Sequence, residues 1–208
     1  PGLQSQPGVQ VVAVCNRRRE SAEAVARQFQ IPKVCTRWEE VVDSNDVDAV
    51  VIGTWPYLHA PVTIAALDAG KHVLCEARMA MNLAEAREML AASLRHPECI
   101  AQIVPAPFTL HIDGAMCRKL EEGFVGRVLA LEVRANSGAF LDLDGPLVWR
   151  RDKALSGLNV LSLGIWYECV MRWVGEATRV VALGKVFVRQ RRDPLDGTRR
   201  DVHIDRKS

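Results

Sequence analysis

The 208 residues are 49% hydrophobic and 25% charged, enough apolar side chains for one or two packed domains and too many for a disordered chain. Lysine and arginine number 27 against 25 aspartates and glutamates, so a net charge of +2 gives no electrostatic case for nucleic acid or an acidic membrane surface, and a small molecule is the expected ligand. The longest apolar runs are of strand length and are broken by proline, glycine or charge, and the first residues lack a secretory signal pattern, so no membrane span is predicted and the expected location is cytoplasmic.

In chain order, residues 9–16 (VQVVAVCN) read as a strand rich in β-branched side chains, and residues 20–30 set Ala22, Val25, Ala26 and Phe29 at helical spacing. Residues 47–54 (VDAVVIGT) are a second strand, 59–70 (HAPVTIAALDAG) a helix ended by glycine, and 71–76 (KHVLCE) a third strand. Asn82 opens a helix over LAEAREMLAASLRH, and IAQIVPA follows as a strand. Parallel neighbours need helical crossovers, so this rhythm predicts a doubly wound parallel sheet over residues 1–105.

The pattern changes beyond that point. Residues 113–126 suit a helix, 127–138 (RVLALEVRANSG) alternate like a strand, residues 142–152 form an irregular loop, and 157–175 hold a long helix. Two final strands joined near Asp196-Gly197 complete a second, α+β domain over residues 106–208. Arg189, Arg191, Arg192, Arg199 and Arg200 flank that turn and read as a solvated edge guarded by charge. The loop residues Asp142, Asp144 and Arg150 are candidate contacts for a polar ligand, with solvation as the plainer reading.

Six cysteines are scattered without a CxxC pair, and the five histidines never stand at i, i+4. The cysteines therefore read as reduced core residues, and no metal site is predicted.

The segments VVAVCNRRRESAEAVARQF, VDAVVIGTWPYLHAPVTIAALDAGKHVLCE and LEEGFVGRVLALEVR resemble the glucose-fructose oxidoreductase, inositol dehydrogenase and rhizopine-catabolism (Gfo/Idh/MocA) family, collinearly over nearly the whole chain. That resemblance implies a Rossmann domain for NAD or NADP followed by a substrate domain on an open, largely antiparallel sheet. Such enzymes open with a strand and a GxGxxG turn that lets the backbone approach a pyrophosphate. This chain opens PGLQSQPG and closes HIDRKS, so the expectation is a fragment. Its Rossmann-like parallel sheet should lack the first strand and the GxGxxG turn, with a gap where that strand would lie, and its α+β domain should be partial.

By resemblance, the residue ending the first strand here meets the adenosine ribose. It is Asn16, followed by Arg17, Arg18 and Arg19, and a neutral amide beside guanidiniums suits a 2′-phosphate, so NADP is favoured over NAD. Thr54, Trp55, Pro56 and His59 match the family's TPxxxH stretch at the cofactor edge, with Trp55 either lining the nicotinamide pocket or filling a gap between domains. Glu76 joins this cofactor-binding set.

The family's catalytic Glu-Lys-Pro is here Glu76, Ala77 and Arg78, and its DxGxH pair becomes Ser162 and Trp166. At 100° per residue Ser162, Trp166, Cys169 and Trp173 share one helix face, with Asn159 on its flank and Tyr167 pointing away. Ser162, Trp166 and Asn159 are the candidate substrate contacts, and Arg78, Glu76 and Tyr167 the candidate catalytic groups, with His59 a further possible substitute. Arg78 cannot serve as a base, yet it can clamp a carboxylate or polarise a carbonyl.

Two functions stand open on these residues. One is an NAD(P)-dependent oxidoreductase acting on CH–OH groups, passing hydride between nicotinamide and a sugar or polyol-like substrate. The other is a non-catalytic nucleotide- or sugar-binding sensor or partner protein that has lost the family's Lys, Asp and His. The resemblance also implies a homo-oligomer for the full-length protein.

Overall fold

Residues 1–104 and 105–208 form two separate units, each holding together through its own contacts. The computed structural model describes residues 2–136, 142, 144–157, 161–185 and 188–202.

In the first unit, β1 (Ala13–Cys15) leads through α1 (Arg19–Phe29) to β2 (Lys33–Cys35), which pairs with it in parallel. A short α2 (Glu39–Val42) precedes β3 (Ala49–Ile52), α3 (His59–Asp68), β4 (His72–Cys75), α4 (Leu83–Arg95) and β5 (Ala101–Ile103). The last three strands make a second parallel sheet in the order β3-β4-β5. Among the described residues β1 and β3 do not pair with each other, so the parallel strands fall into two sheets. This is where the sequence reading put a gap.

Burial explains which runs became elements. Val50, Ile52, Val73 and Cys75 turn alternate side chains into one core with Ala60, Ala66 and Leu67 of α3 and with Met89 and Ala92 of α4. α3 is buried on most sides, which is why it carries almost no charge. It stops at Gly70, whose φ of +73° is open to glycine and which lets the Lys71 N–H reach back to the Ala66 carbonyl at 2.8 Å. α4 starts at a reciprocal cap, with Asn82 Oδ1 accepting from the Glu85 N–H and the Asn82 amide donating to Glu85 Oε1, each at 3.0 Å.

The second unit holds α5 (Leu110–Glu121), α6 (Lys153–Ser156), α7 (Leu161–Val174) and an antiparallel hairpin of β6 (Gln190–Arg192) and β7 (Arg199–Asp201). The hairpin turns through Gly197 at φ +71°. α5 and α7 are joined by Arg172, which donates to Asp113 at 2.7 Å, to Glu168 at 2.6 Å and to the Thr109 hydroxyl at 3.0 Å. The Trp173 indole donates to the second Asp113 oxygen at 2.6 Å.

Two sequence expectations change here. Residues 127–136 take no strand pairing, because no partner strand lies beside them among the described residues. Their apolar side chains instead line a groove of about 440 Å³ with Met116, Leu120 and Trp173. Arg191 is not a solvated edge residue. It is buried and donates to the Gly145 and Asp142 carbonyls at 2.8 and 3.2 Å, pinning that loop to the hairpin.

Candidate functional site

The carboxyl ends of β1 and β3 carry the first cluster. Asn16 follows β1 directly, half-buried, and its amide donates to Ser21 Oγ in the first turn of α1 at 3.1 Å. That bond fixes the amide and leaves its oxygen as an acceptor. Arg17 and Arg18 are exposed, and the Arg17 guanidinium lies 4.4 Å from the ring centroid of Trp55, just beyond β3. The contact joins the two strand ends that the sequence reading assigned separately to the cofactor. Arg19 is occupied on α1, where it meets Glu23 at 2.8 Å.

The second cluster is the turn after β4. Glu76 and Ala77 are exposed and Arg78 is half-buried. The Ala77–Arg78 peptide bond is cis. His59, only 1% exposed, lies beneath this turn at the start of α3. Its Nδ1 stands 2.7 Å from the Arg78 carbonyl and its Nε2 3.0 Å from the Thr54 carbonyl. Both facing oxygens only accept, so a neutral ring donates one of these bonds and an imidazolium donates both. His59 thereby ties the end of β3 to the turn after β4, and both ring nitrogens are occupied by backbone. Cys75, beside the turn, is buried, and that burial pushes its thiol up to about 11, which keeps it protonated at neutral pH.

In the second unit, Ser162 and Tyr167 are exposed near the start of α7, and Trp166 packs against Phe108 with ring centroids 5.4 Å apart. Further along the same face Cys169 is buried and Trp173 bonds to Asp113, so the face defined by helical spacing is largely the packing face of α7. Glu168 accepts from the Ala106 N–H at 2.9 Å as well as from Arg172. Burial pushes the Asp113 carboxyl up, and hydrogen bonds from Thr109, Trp173 and Arg172 outweigh it, leaving Asp113 below the usual carboxylate range. Asn159 lies outside the described residues. Among the described residues no three His, Cys, Asp or Glu side chains gather to hold a metal ion, and no helix is long and apolar enough to cross a membrane.

Residues 1–103 match the family model described as "Oxidoreductase family, NAD-binding Rossmann fold" (GFO_IDH_MocA). The chain belongs to the Gfo/Idh/MocA oxidoreductase family. Within it, the chain is 30% identical to mouse (Mus musculus) glucose-fructose oxidoreductase domain-containing protein 1 over 98% of this chain and 51% of that protein. It is 31% identical to levoglucosan dehydrogenase of Pseudarthrobacter phenanthrenivorans over 74% of this chain and 39% of that one. A solved levoglucosan dehydrogenase in complex with NADH and levoglucosan superposes with a TM-score of 0.78 at 26% identity, covering 94% of this chain and 52% of that structure. The chain thus spans about half the length, or less, of these Gfo/Idh/MocA relatives.

As a Gfo/Idh/MocA chain it carries a donor set that fits one end of a dinucleotide. The donors gathered there are two exposed guanidiniums, an oriented amide and an indole face, groups able to meet the polar and flat parts of a nucleotide. The sequence supplies no GxGxxG turn for the pyrophosphate. Sequence reasoning missed Ser21 and Phe108. Ser21 stands five residues beyond Asn16, a spacing interpretable only once α1 is known to fold back on β1. Phe108 carried no signal at all, since its partner lies 58 positions away.

Proposed function

We propose that this chain carries the dinucleotide half, and part of the substrate half, of an NADP-preferring oxidoreductase that acts on a CH–OH group of a sugar or polyol-like molecule. The observation that supports it best is the Arg17–Trp55 contact at 4.4 Å beside Asn16, because it gathers cationic and aromatic groups at two neighbouring strand ends. In this reading Arg17 and Arg18 bind the 2′-phosphate, Asn16 accepts from a ribose hydroxyl, and Thr54 and Trp55 border the nicotinamide end. A bound nicotinamide supplies the hydride donor or acceptor. Glu76 and Arg78 border the reacting carbon, where Arg78 holds a substrate oxygen as a permanent cation. Tyr167, Ser162, Trp166 and Asn159 belong to the substrate side, and His59 acts by holding Thr54 and Arg78 in place.

The test is fluorescence titration with NADPH and NADH, then a screen of sugars and polyols for absorbance change at the nicotinamide band. Tighter binding of NADPH and turnover of at least one polyol are expected. Binding of neither dinucleotide overturns the proposal.

A second reading, a dinucleotide- or sugar-binding protein without turnover, is supported by the side chains at the family's catalytic positions. Ala77, Ser162 and Trp166 stand there, and Trp166 is engaged by Phe108. Tight NADPH binding with no turnover across the screen would favour it.

A further inference from the structure

Two of the six thiols face each other. In the parallel pairing of β1 and β2 the register partners are Ala13 with Lys33, Val14 with Val34 and Cys15 with Cys35. Register partners on adjacent strands project to the same side of a sheet, and adjacent strands run about 4.8 Å apart, inside the roughly 4.4–6.8 Å range of Cα separations that disulfides span. Both are free thiols, Cys35 fully buried and Cys15 partly open to solvent. Cys75, by contrast, has Ile52 and Ile103 as its register partners. We propose that Cys15 and Cys35 form a reversible dithiol–disulfide site that closes when a low-molecular-weight disulfide such as oxidised glutathione is abundant.

The access pattern sets the order of events. The partly open Cys15 thiolate attacks one sulfur of the small disulfide, forming a mixed disulfide and releasing one small thiolate. The Cys35 thiolate then attacks the Cys15 sulfur, closing the Cys15–Cys35 bond and releasing the second. Two protein thiols lose two protons and two electrons, and the small disulfide leaves as two thiols. Closure needs the Cβ atoms within about 3.8 Å, so the two strand ends draw together by about 1 Å. Asn16 and Arg17 follow Cys15 immediately and move with it, which couples the oxidation state to the turn between β1 and α1.

Charges around the pair govern its rate. Burial, the neighbouring Cys35 and the carboxylates of Glu40 and Glu39 raise Cys15, while burial raises Cys35 against the pull of Lys33 and with a smaller push from Glu40. Exchange is therefore slow at neutral pH. Its rate rises about tenfold per pH unit while the attacking thiol remains mostly protonated.

Incubation of the chain in a series of reduced and oxidised glutathione mixtures, quenched with acid and mapped by mass spectrometry without reduction, tests this independently of any dinucleotide. A Cys15–Cys35 linked peptide is expected to accumulate before any other pairing, to form about tenfold faster at pH 8 than at pH 7, and to vanish with dithiothreitol. Cys35→Ser should trap glutathione on Cys15, and Cys15→Ser should leave Cys35 unmodified. No such link across the series, or a link that forms only in urea, overturns the proposal.

Discussion

Replacing His59 with phenylalanine keeps a flat ring in a site that is 1% exposed and removes both nitrogens, so it separates hydrogen bonding from packing. The Thr54 and Arg78 carbonyls, at 3.0 and 2.7 Å from the imidazole, would then face an apolar edge. A neutral imidazole donates one of these two bonds, and a buried acceptor stripped of its donor costs about 1–3 kcal/mol, a sizeable part of the roughly 5–15 kcal/mol that keeps a domain folded. Urea unfolding followed by the fluorescence of Trp38 and Trp55 reads the loss in the first unit. The unfolding free energy should fall by that amount at an unchanged urea dependence, lowering the midpoint in proportion, with the Ser162 side of the chain unaffected. A change below about 0.5 kcal/mol would show that other donors satisfy the carbonyls and that His59 does not join β3 to the turn after β4.

Other consequences can be checked in the same way. Asn82→Ala removes the acceptor that caps the Glu85 N–H at the start of α4 and should cost about 1 kcal/mol in urea unfolding; no loss would mean that the reciprocal Glu85 contacts suffice alone. Asp113 sits below its unfolded value of about 3.9, so its contribution is present above about pH 4 and fades as pH falls through the lower folded value. Acid unfolding of the second unit should therefore be steeper below pH 4 in the wild type than in Asp113→Asn, and parallel curves would refute that assignment. Trp166→Ala should free the Phe108 ring and lower the stability of the second unit by about 3–5 kcal/mol if the pair is packed as deeply as an interior aromatic, and by less in proportion to its partial exposure.

The first unit was legible because its signals are local. β-branched runs with helices between them dictate parallel pairing, Gly70 and Asn82 mark helix ends by their own chemistry, and α3, β4 and α4 lie within a residue or two of where periodicity put them. β2 was missed because a three-residue strand between Pro32 and Thr36 is too short to show alternation, and β1 shrank to the three residues that β2 runs beside. In the second unit, residues 127–136 have the alternating pattern of a strand, yet a strand exists only with a neighbour to bond to. The burial of Arg191 was equally invisible, because its partners are backbone carbonyls 46 and 49 positions away. At the site, residue types were readable while their engagement was not. Nothing in the string HAPVTIAALDAG says that both nitrogens of His59 are consumed by carbonyls of two different turns.

Under the proposed function, the turn after β1 selects a phosphorylated ribose through Arg17 and Arg18. Paired titrations of the wild type and of the Arg17→Ala/Arg18→Ala double variant with NADPH and NADH test it most directly. The expected result is tighter wild-type binding of NADPH, and in the variant a loss on the order of a hundredfold or more for NADPH with little change for NADH, since each of the two guanidinium–phosphate contacts contributes about 1.5–3 kcal/mol. Equal losses for both dinucleotides would contradict it.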